Sequence, residues 1–501
     1  MRPRVYAVIN VPPEISAYAT VRYSRSPDSM KDSIAWIYRK SAEAAASGAE
    51  KFLDTYYFNY GHKSIADCGH VIMAIERWSQ LMAEEVEDEQ LWDGQEQSTR
   101  YQDFSRPKFF KPRGWQEAEL MELYVKTIHQ LFTSYHRLSQ QAFRYYCFKN
   151  PKPDEMKQGD YERALRARAF DVARYLLPMA VKTNVGQITS IRVLERQIQR
   201  LLASRYPEIR LLGETMARAC KEPAYDVAKA QFKLEDVLPA VEAAPTLAKY
   251  LEPDTYLENT RKKLKQLVEK ILRLPLPIHN YSRVELHPPG SHAGYCEEVV
   301  TTAIYWVTNY SYQQCLDLVS NMKEEDQALI WNALFAERGQ HDELLRLFRG
   351  GYPLTFDTCV DIGADRDLKR HRRCIQIRQD LSADYGYEIP AVLTEPGLED
   401  EHDLYVKAVE AAHQAYRQLA IVHPYDALYV LPLGTRRRRL YKMDPAEAVY
   451  ISELRTGVGG HFSYRAAAYQ MFEKLVEWCP EFKEFIAPRV THPSVEAPLK
   501  R

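Results

Sequence analysis

Four clusters in this sequence combine residue types that bind anions or bases. The first is Gly61-His62-Lys63-Ser64. The glycine permits a left-handed turn after a helix, and Ser64 with Asp67 resembles an N-cap box. A serine and a histidine at a helix N-terminus suit an anion or nucleotide, and equally a plain helix-turn-helix joint. The second is Glu96-Gln97-Ser98-Thr99-Arg100-Tyr101. A hydroxyl, a guanidinium and a phenol this close together hold a phosphate and stack a base, or else form a polar turn. The third is Arg192, Arg196 and Arg200, spaced to line one helix flank, with Arg174 on a preceding helix. The fourth is Arg370-His371-Arg372-Arg373, fixed charges around an imidazole that would clamp a pyrophosphate or stabilise an anionic ring. Both arginine sets also read as solvated basic faces. The run Arg436 to Arg439 lacks a histidine and is expected at the surface.

These clusters need elements to carry them. Val5 to Val11 reads as a short strand stopped by Pro12-Pro13. Ser29 to Tyr60 is mostly helical in pattern, broken near Ser47-Gly48. Trp115 to Phe148 places Leu120, Tyr124, Ile128, Leu131 and Tyr135 at helical spacing. Further helices are predicted over Tyr161 to Leu177, Thr189 to Ala219 and Glu258 to Leu272. Leu274 to Gly290 carries four prolines and reads as a linker.

Composition bounds the answer. The chain has 501 residues, 46% of them apolar, enough for two cores. The charge of -1, from 67 basic and 68 acidic residues, gives no global pull toward nucleic acid or an anionic membrane. Eight scattered cysteines without a C-x-x-C pair argue against a zinc site and suit a reducing cytosol. The opening residues lack a signal-peptide core and no apolar run spans a membrane. A cytoplasmic protein without a metal is expected.

The second half echoes the first. Val8-Ile9-Asn10-Val11-Pro12-Pro13 returns as Val284-Glu285-Leu286-His287-Pro288-Pro289, Gly61 as Gly339, and Leu177-Pro178 as Leu431-Pro432. The common order favours an internal duplication.

Taken in order, the clusters resemble the flavin-dependent thymidylate synthase (ThyX) family. Val21-Arg22-Tyr23-Ser24 is similar to that family's A-R-x-S stretch, Gly61 to Ser64 to G-H-x-S, and Ser98 to Tyr101 to S-x-R-Y. Ala173 to Pro178 is similar to A-R-x-x-L-P, with Arg192 and Arg200 at the late N-x-R and L-R arginines. Where the family has R-H-R, this chain has Asp88-Glu89-Gln90, two carboxylates that repel a phosphate. Asp67-Cys68 replaces a Glu-His pair. The second half is complementary: Arg370-His371-Arg372 looks like R-H-R and Arg455 like the late L-R arginine, while Asp380, Ser382 and Leu428 replace its S-x-R-Y and A-R-x-x-L-P residues.

The resemblance implies an α+β fold of two ThyX-like domains, helix-rich with small mixed sheets. The halves are expected at 1–220 and 284–501, joined by a helical, proline-rich linker at 221–283. It implies reductive methylation of dUMP to dTMP, with FAD as cofactor and NADPH and methylenetetrahydrofolate as co-substrates. No side chain is expected to act as a nucleophile, since the cofactor carries the chemistry. The expected dUMP contacts are Ser98, Arg100, Tyr101, Arg174 and Arg200. The expected FAD contacts are Ser24, His62, Ser64, Glu96, Arg192, Arg370, His371 and Arg372. A homodimer would rebuild a four-domain assembly. The alternative is a non-catalytic paralogue that keeps the fold as a nucleotide-binding or scaffold protein.

Overall fold

The computed structural model describes residues 11–25, 30–38, 63–104, 108–225, 248, 251–272, 283–287, 295–337, 345, 347, 354–478, 483 and 486–499. The strand expected over Val5 to Val11, the Gly61/Gly339 echo and most of the Ser29 to Tyr60 segment lie outside them. The chain divides into two compact units. One comprises Met1–Glu76, Glu85–Glu96 and Asn184–Thr255; the other comprises Arg77–Glu84, Gln97–Thr183 and Tyr256–Arg501.

The strands are β1 (His70–Ser79), β2 (Asp93–Glu96), β3 (Lys182–Ser190), β4 (Val284–His287), β5 (Leu354–Asp361), β6 (Ile375–Arg378) and β7 (Arg436–Met443). They form two sheets, ordered β1-β3-β2 and β4-β5-β7-β6. β3 therefore sits in the first sheet as β7 sits in the second, and β4 adds an edge to the second. The ladders β2–β3, β4–β5, β5–β7 and β6–β7 are antiparallel.

The repetition extends to the caps. β1 runs into the helix Gln80–Val86 and β5 into the helix Ile362–Leu368, seven residues each. Ser79 Oγ accepts the Met82 N–H at 3.1 Å, as Asp361 Oδ1 accepts the Ala364 N–H at 2.7 Å. A side-chain oxygen at the N-cap satisfies one orphan donor of each helix. β3 and β7 are in turn followed by the helices Ile191–Leu202 and Pro445–Arg455, capped by Ser190 and Asp444.

The two Leu-Pro echoes meet. Pro178 and Pro432 form an antiparallel bridge. The Met179 N–H donates to the Leu431 carbonyl and the Leu433 N–H to the Leu177 carbonyl, both at 2.9 Å. Proline lacks an N–H, so the flanking residues carry the reciprocal bonds.

The helix Ala118–Lys149 follows its predicted span closely and buries Tyr124, Ile128, Leu131 and Tyr135. The predicted 161–177 helix is Gln158–Ala173 followed by a 3-10 turn, Arg174–Leu176. Thr189 to Ala219 is not one helix. β3 ends at Ser190, and Pro207 at the first turn opens a second helix, Pro207–Lys221. The segment read as a linker contributes β4, and the helix Thr255–Leu272 buries Tyr256, Leu264 and Val268 in a core with Val299, Ile304 and Leu440.

The run Arg436 to Arg439 corrects the expectation of a surface. Arg437, Arg438 and Arg439 are buried in β7. Strand alternation sends Arg437 and Arg439 to one face and Arg438 to the other. On the first face, Arg439 makes two 2.6 Å bonds to Asp365, and Arg437 reaches Glu84 at 2.6 Å. On the other, Arg438 pairs with Asp357. Burial alone would raise Asp365, but Arg439 and Arg437 hold it far below the ordinary carboxylate range. Burial likewise opposes ionisation of Glu84, and Arg437 and Lys369 overcome it.

Candidate functional site: an arginine cluster around Tyr464

Thr99 and Arg100 follow β2 in a turn, and Ser98 Oγ accepts the Arg100 N–H at 3.2 Å. That turn aims the guanidinium at Asp171 on the helix Gln158–Ala173, with bonds of 2.8 and 3.2 Å. Arg100 also donates to Tyr464 Oη at 3.3 Å and to the Gly459 carbonyl at 3.2 Å. Burial disfavours its charge, and Asp171 more than restores it. Tyr101 beside it is 59% exposed, and the Arg100 guanidinium lies 5.9 Å from its ring centroid.

Arg174 sits at the start of the 3-10 turn that leads into Pro178. It is buried, donating to the Gly363 carbonyl at 3.0 Å and lying 3.6 Å from Asp367. Its buried Nε makes no hydrogen bond among the described residues. Arg366, on the helix that carries Asp367, donates to Thr99 Oγ1 at 3.2 Å. Arg168 donates to the carbonyls of Val458 and Gly460 at 2.8 and 3.3 Å. Converging guanidiniums of this kind bind phosphate or carboxylate strongly.

The segment after the helix Pro445–Arg455 closes the cluster. A Cβ at Gly460 would stand 2.8 Å from Tyr464 and Arg465 atoms, so only glycine fits. His461 is buried, with Nε2 3.0 Å from the Asp171 carbonyl and Nδ1 accepting the Ser463 N–H at 3.2 Å. Burial, then the charge of Arg174, pushes its pKa well below the ordinary value. The ring is neutral, with its proton on Nε2.

Tyr464 joins two motifs. The Arg100 guanidinium lies 5.7 Å from its ring centroid and that of Arg455 lies 5.6 Å away. Both distances suit cation–π attraction. Arg455 in turn donates from Nε to His371 Nε2 at 2.8 Å. His371 Nδ1 stands 3.2 Å from Glu447. Burial and then the charge of Arg455 lower the histidine to about 3, so its Nδ1–H donates to the carboxylate. Arg370 is exposed, Arg372 half-buried, and Arg373 pairs with Asp444 at the surface.

The remaining expected residues fall elsewhere. His62 lies outside the described residues, and the side chains of Ser24 and Ser64 are likewise not described. Glu96 ends β2, half-buried. Arg192 forms a 2.9 Å exposed pair with Asp67. Arg200 bonds Glu89 at 2.9 Å and the Glu85 carbonyl at 2.6 Å, and Arg196 reaches Glu89 at 3.3 Å. Glu89, at the family's R-H-R position, is thus buried beneath two arginines. Asp171, His461 and Tyr464 were not foreseen as partners of these motifs. The glycine-rich run Gly457-Val458-Gly459-Gly460-His461 was the available signal.

Among the described residues, no cluster of three or more His, Cys, Asp or Glu side chains is placed to hold a metal. No described helix is long and apolar enough to cross a membrane.

Fold and site together define a helix-rich α+β protein of two similar domains, with an arginine-rich polar centre. The chain belongs to the family described as thymidylate synthase complementing protein, whose model matches residues 8–224 and 300–481. It is similar to a UPF0159 protein of Chlamydia muridarum, 28% identical over 88% of this chain and 81% of the relative. A UPF0159 protein of Thermoplasma acidophilum is 24% identical over 91% of each chain. A flavin-dependent thymidylate synthase of Haloarcula marismortui is 24% identical over 19% of this chain and 39% of its own length. Among solved structures, the flavin-dependent thymidylate synthase ThyX of Helicobacter pylori, complexed with FAD and dUMP, aligns with 46% of this chain and 96% of its own. The identity there is 13% and the TM-score 0.27.

Proposed function

We propose that this chain is a flavin-dependent thymidylate synthase whose active site draws its motifs from both repeats. The observation that supports this is Tyr464, with Arg100 of the S-x-R-Y turn on one side and Arg455, the partner of His371, on the other. Motif residues separated in sequence by the whole length of a domain converge on one ring.

In this reading Arg100 and Arg174 take the phosphate of dUMP. The buried Nε of Arg174 lacks a hydrogen-bond partner among the described residues, so an anion that reached it would satisfy a desolvated donor. Ser98 and Tyr101 complete the nucleotide contacts, the exposed ring of Tyr101 stacking on the base. Arg370, His371 and Arg372 hold FAD. Arg370 fits that role, being exposed and making no side-chain hydrogen bond among the described residues. When bound, FAD reduced by NADPH supplies the hydride, and methylenetetrahydrofolate the carbon, delivered to C5 of dUMP. The protein contributes binding, orientation and positive charge. Ser24, His62, Ser64 and Glu96 complete the FAD contacts on the family pattern. Arg192 and Arg200 join the site only if their pairs with Asp67 and Glu89 open. A cytoplasmic homodimer is the assembly that the family pattern supports.

The test is tritium release from C5-labelled dUMP with NADPH, FAD and methylenetetrahydrofolate, alongside visible flavin absorbance of the purified chain. Release that is lost in Arg100→Ala and in Arg370→Ala supports the hybrid site. A chain that neither binds flavin nor releases tritium overturns the reading. A nucleotide-binding paralogue without turnover is the second reading, favoured by the two bonds that already join Arg100 to Asp171. It is recognised by dUMP binding without tritium release.

A further inference from the structure

Two buried arginines tie the loop 456–461 to the later segment 491–497. Arg465 donates from Nε to the Thr456 carbonyl at 3.0 Å, and from Nη2 to the carbonyls of His492 at 3.3 Å and Val495 at 2.9 Å. Arg168 donates from Nη2 both to the Val458 carbonyl and, at 3.3 Å, to that of Ala497, while its Nη1 serves Gly460. Each guanidinium therefore holds the glycine-rich loop with some of its bonds and the later segment with others. The Thr491 N–H adds a bond to Thr456 Oγ1 at 3.2 Å. Burial disfavours the charge of Arg465, and the carboxylate of Glu496, on the same segment, opposes that shift. Ala487 and Val490 pack against the core that contains Phe356 and Leu475. Beyond them His492, Ser494, Val495 and Glu496 are exposed. A segment held by main-chain bonds and few apolar contacts belongs to the parts of a fold that open first.

The same loop touches Arg100. Asp171 takes the Nε–Nη2 edge of that guanidinium. What is left for a phosphate is the end-on fork of Nη1 and Nη2, and bidentate binding uses both prongs. The Gly459 carbonyl occupies the Nη2 prong, and Tyr464 Oη lies on Nη1. Withdrawing Gly459 frees the fork without disturbing the pair with Asp171. We infer that residues 491–497 are a strap over the phosphate site: in place, it holds Gly459 on Arg100, and when it lifts, the loop retreats and the phosphate enters. The inference rests on the proposed dUMP contact at Arg100 and adds its regulation. The arrangement described here is the strapped state, in which a neutral carbonyl stands where the anion would bind.

The experiment is hydrogen–deuterium exchange of the full chain with and without saturating dUMP, read on peptides covering 456–461 and 491–497, together with isothermal titration of dUMP. The nucleotide selects the open form, so both peptides should exchange faster when it is bound, while the helix Ala118–Lys149 stays unchanged. Thr456→Val removes the acceptor of the Thr491 N–H, and a chain shortened after Val490 removes the strap. Each should bind dUMP tighter, the shortened chain by about tenfold, because affinity rises with the population of the open form. Thermal melting checks that the variants fold, and the wild-type exchange decides the matter if they do not. Wild-type dUMP binding that leaves exchange of 491–497 unchanged, or slows it, overturns the strap and leaves the proposed function standing. Absence of dUMP binding by both the wild type and a folded shortened chain removes both.

Discussion

Arg455 donates its Nε–H to Nε2 of His371 at 2.8 Å, an arginine bonded to an imidazole that must therefore be neutral. Among the described residues, His287, His413 and His461 share this condition. Burial lowers His371 to about 3, His287 and His413 to about 4, and His461 well below its ordinary value. Unfolding lets each of them take up a proton below about pH 6.5. The unfolded state then binds more protons than the folded one. Stability is full above about pH 6.5 and falls as the pH drops toward 4, by up to about 1.4 kcal/mol per pH unit for each histidine. Urea denaturation at pH 7.5, 6 and 5 should show a steadily falling midpoint. A midpoint that is flat or rises toward pH 5 would contradict the neutral assignment.

Arg439 and Asp365 form a buried β7 ion pair with two 2.6 Å bonds. Removing one partner leaves an uncompensated buried charge. Arg439→Met should cost about 3–5 kcal/mol, read from urea denaturation. The double variant Arg439→Met/Asp365→Leu should recover much of that loss, because an apolar pair of similar volume escapes the desolvation cost. A double variant less stable than the single one would mean that the pair stabilises in its own right.

β7 also marks the limit of what the sequence discloses. Four consecutive arginines read as surface because their partners Glu84, Asp357 and Asp365 lie far away in the chain, and no local pattern announces them. The two-domain organisation was legible for the opposite reason. Pro178 and Pro432 are backbone landmarks, and each leads into the strand that the other sheet reproduces. The side-chain partners of the arginines singled out by type and order were not legible. Asp171 is an ordinary helix residue until the fold lays it beside Arg100. The split of Thr189 to Ala219 was within reach, since Ser190 is a good cap and Pro207 a good first-turn residue.

Asp171 competes with any phosphate for Arg100. Asp171→Asn keeps the shape of the side chain and removes its charge, releasing the guanidinium. If the nucleotide phosphate binds at Arg100, dUMP should bind about tenfold tighter in this variant, the order of one charge-assisted hydrogen bond. Melting temperature should fall at the same time, because Arg100 is largely buried. Isothermal titration measures the first and differential scanning calorimetry the second. Weaker dUMP binding with a lowered melting temperature would show that Asp171 serves the site by holding Arg100 in place.

Positions matching one another between the repeats differ most in charge. Ser98, Arg100 and Arg174 in the first repeat stand against Asp380, Ser382 and Leu428 in the second, and Arg370-His371-Arg372 stands against Asp88-Glu89-Gln90. Asp380 is committed to Arg261 at 2.6 Å, and Ser382 Oγ accepts the Asp384 N–H at 3.2 Å. One set of motif positions keeps its cations, and the other has lost them. The expected stoichiometry is one dUMP per polypeptide, although the chain carries two domains. Arg174→Ala should weaken dUMP about 10- to 100-fold, the loss of bonds from a charged donor, while Ser382→Ala leaves affinity unchanged. Isothermal titration reads both. Two nucleotides bound per chain, or equal losses from the two substitutions, would mean that both sets of positions still bind.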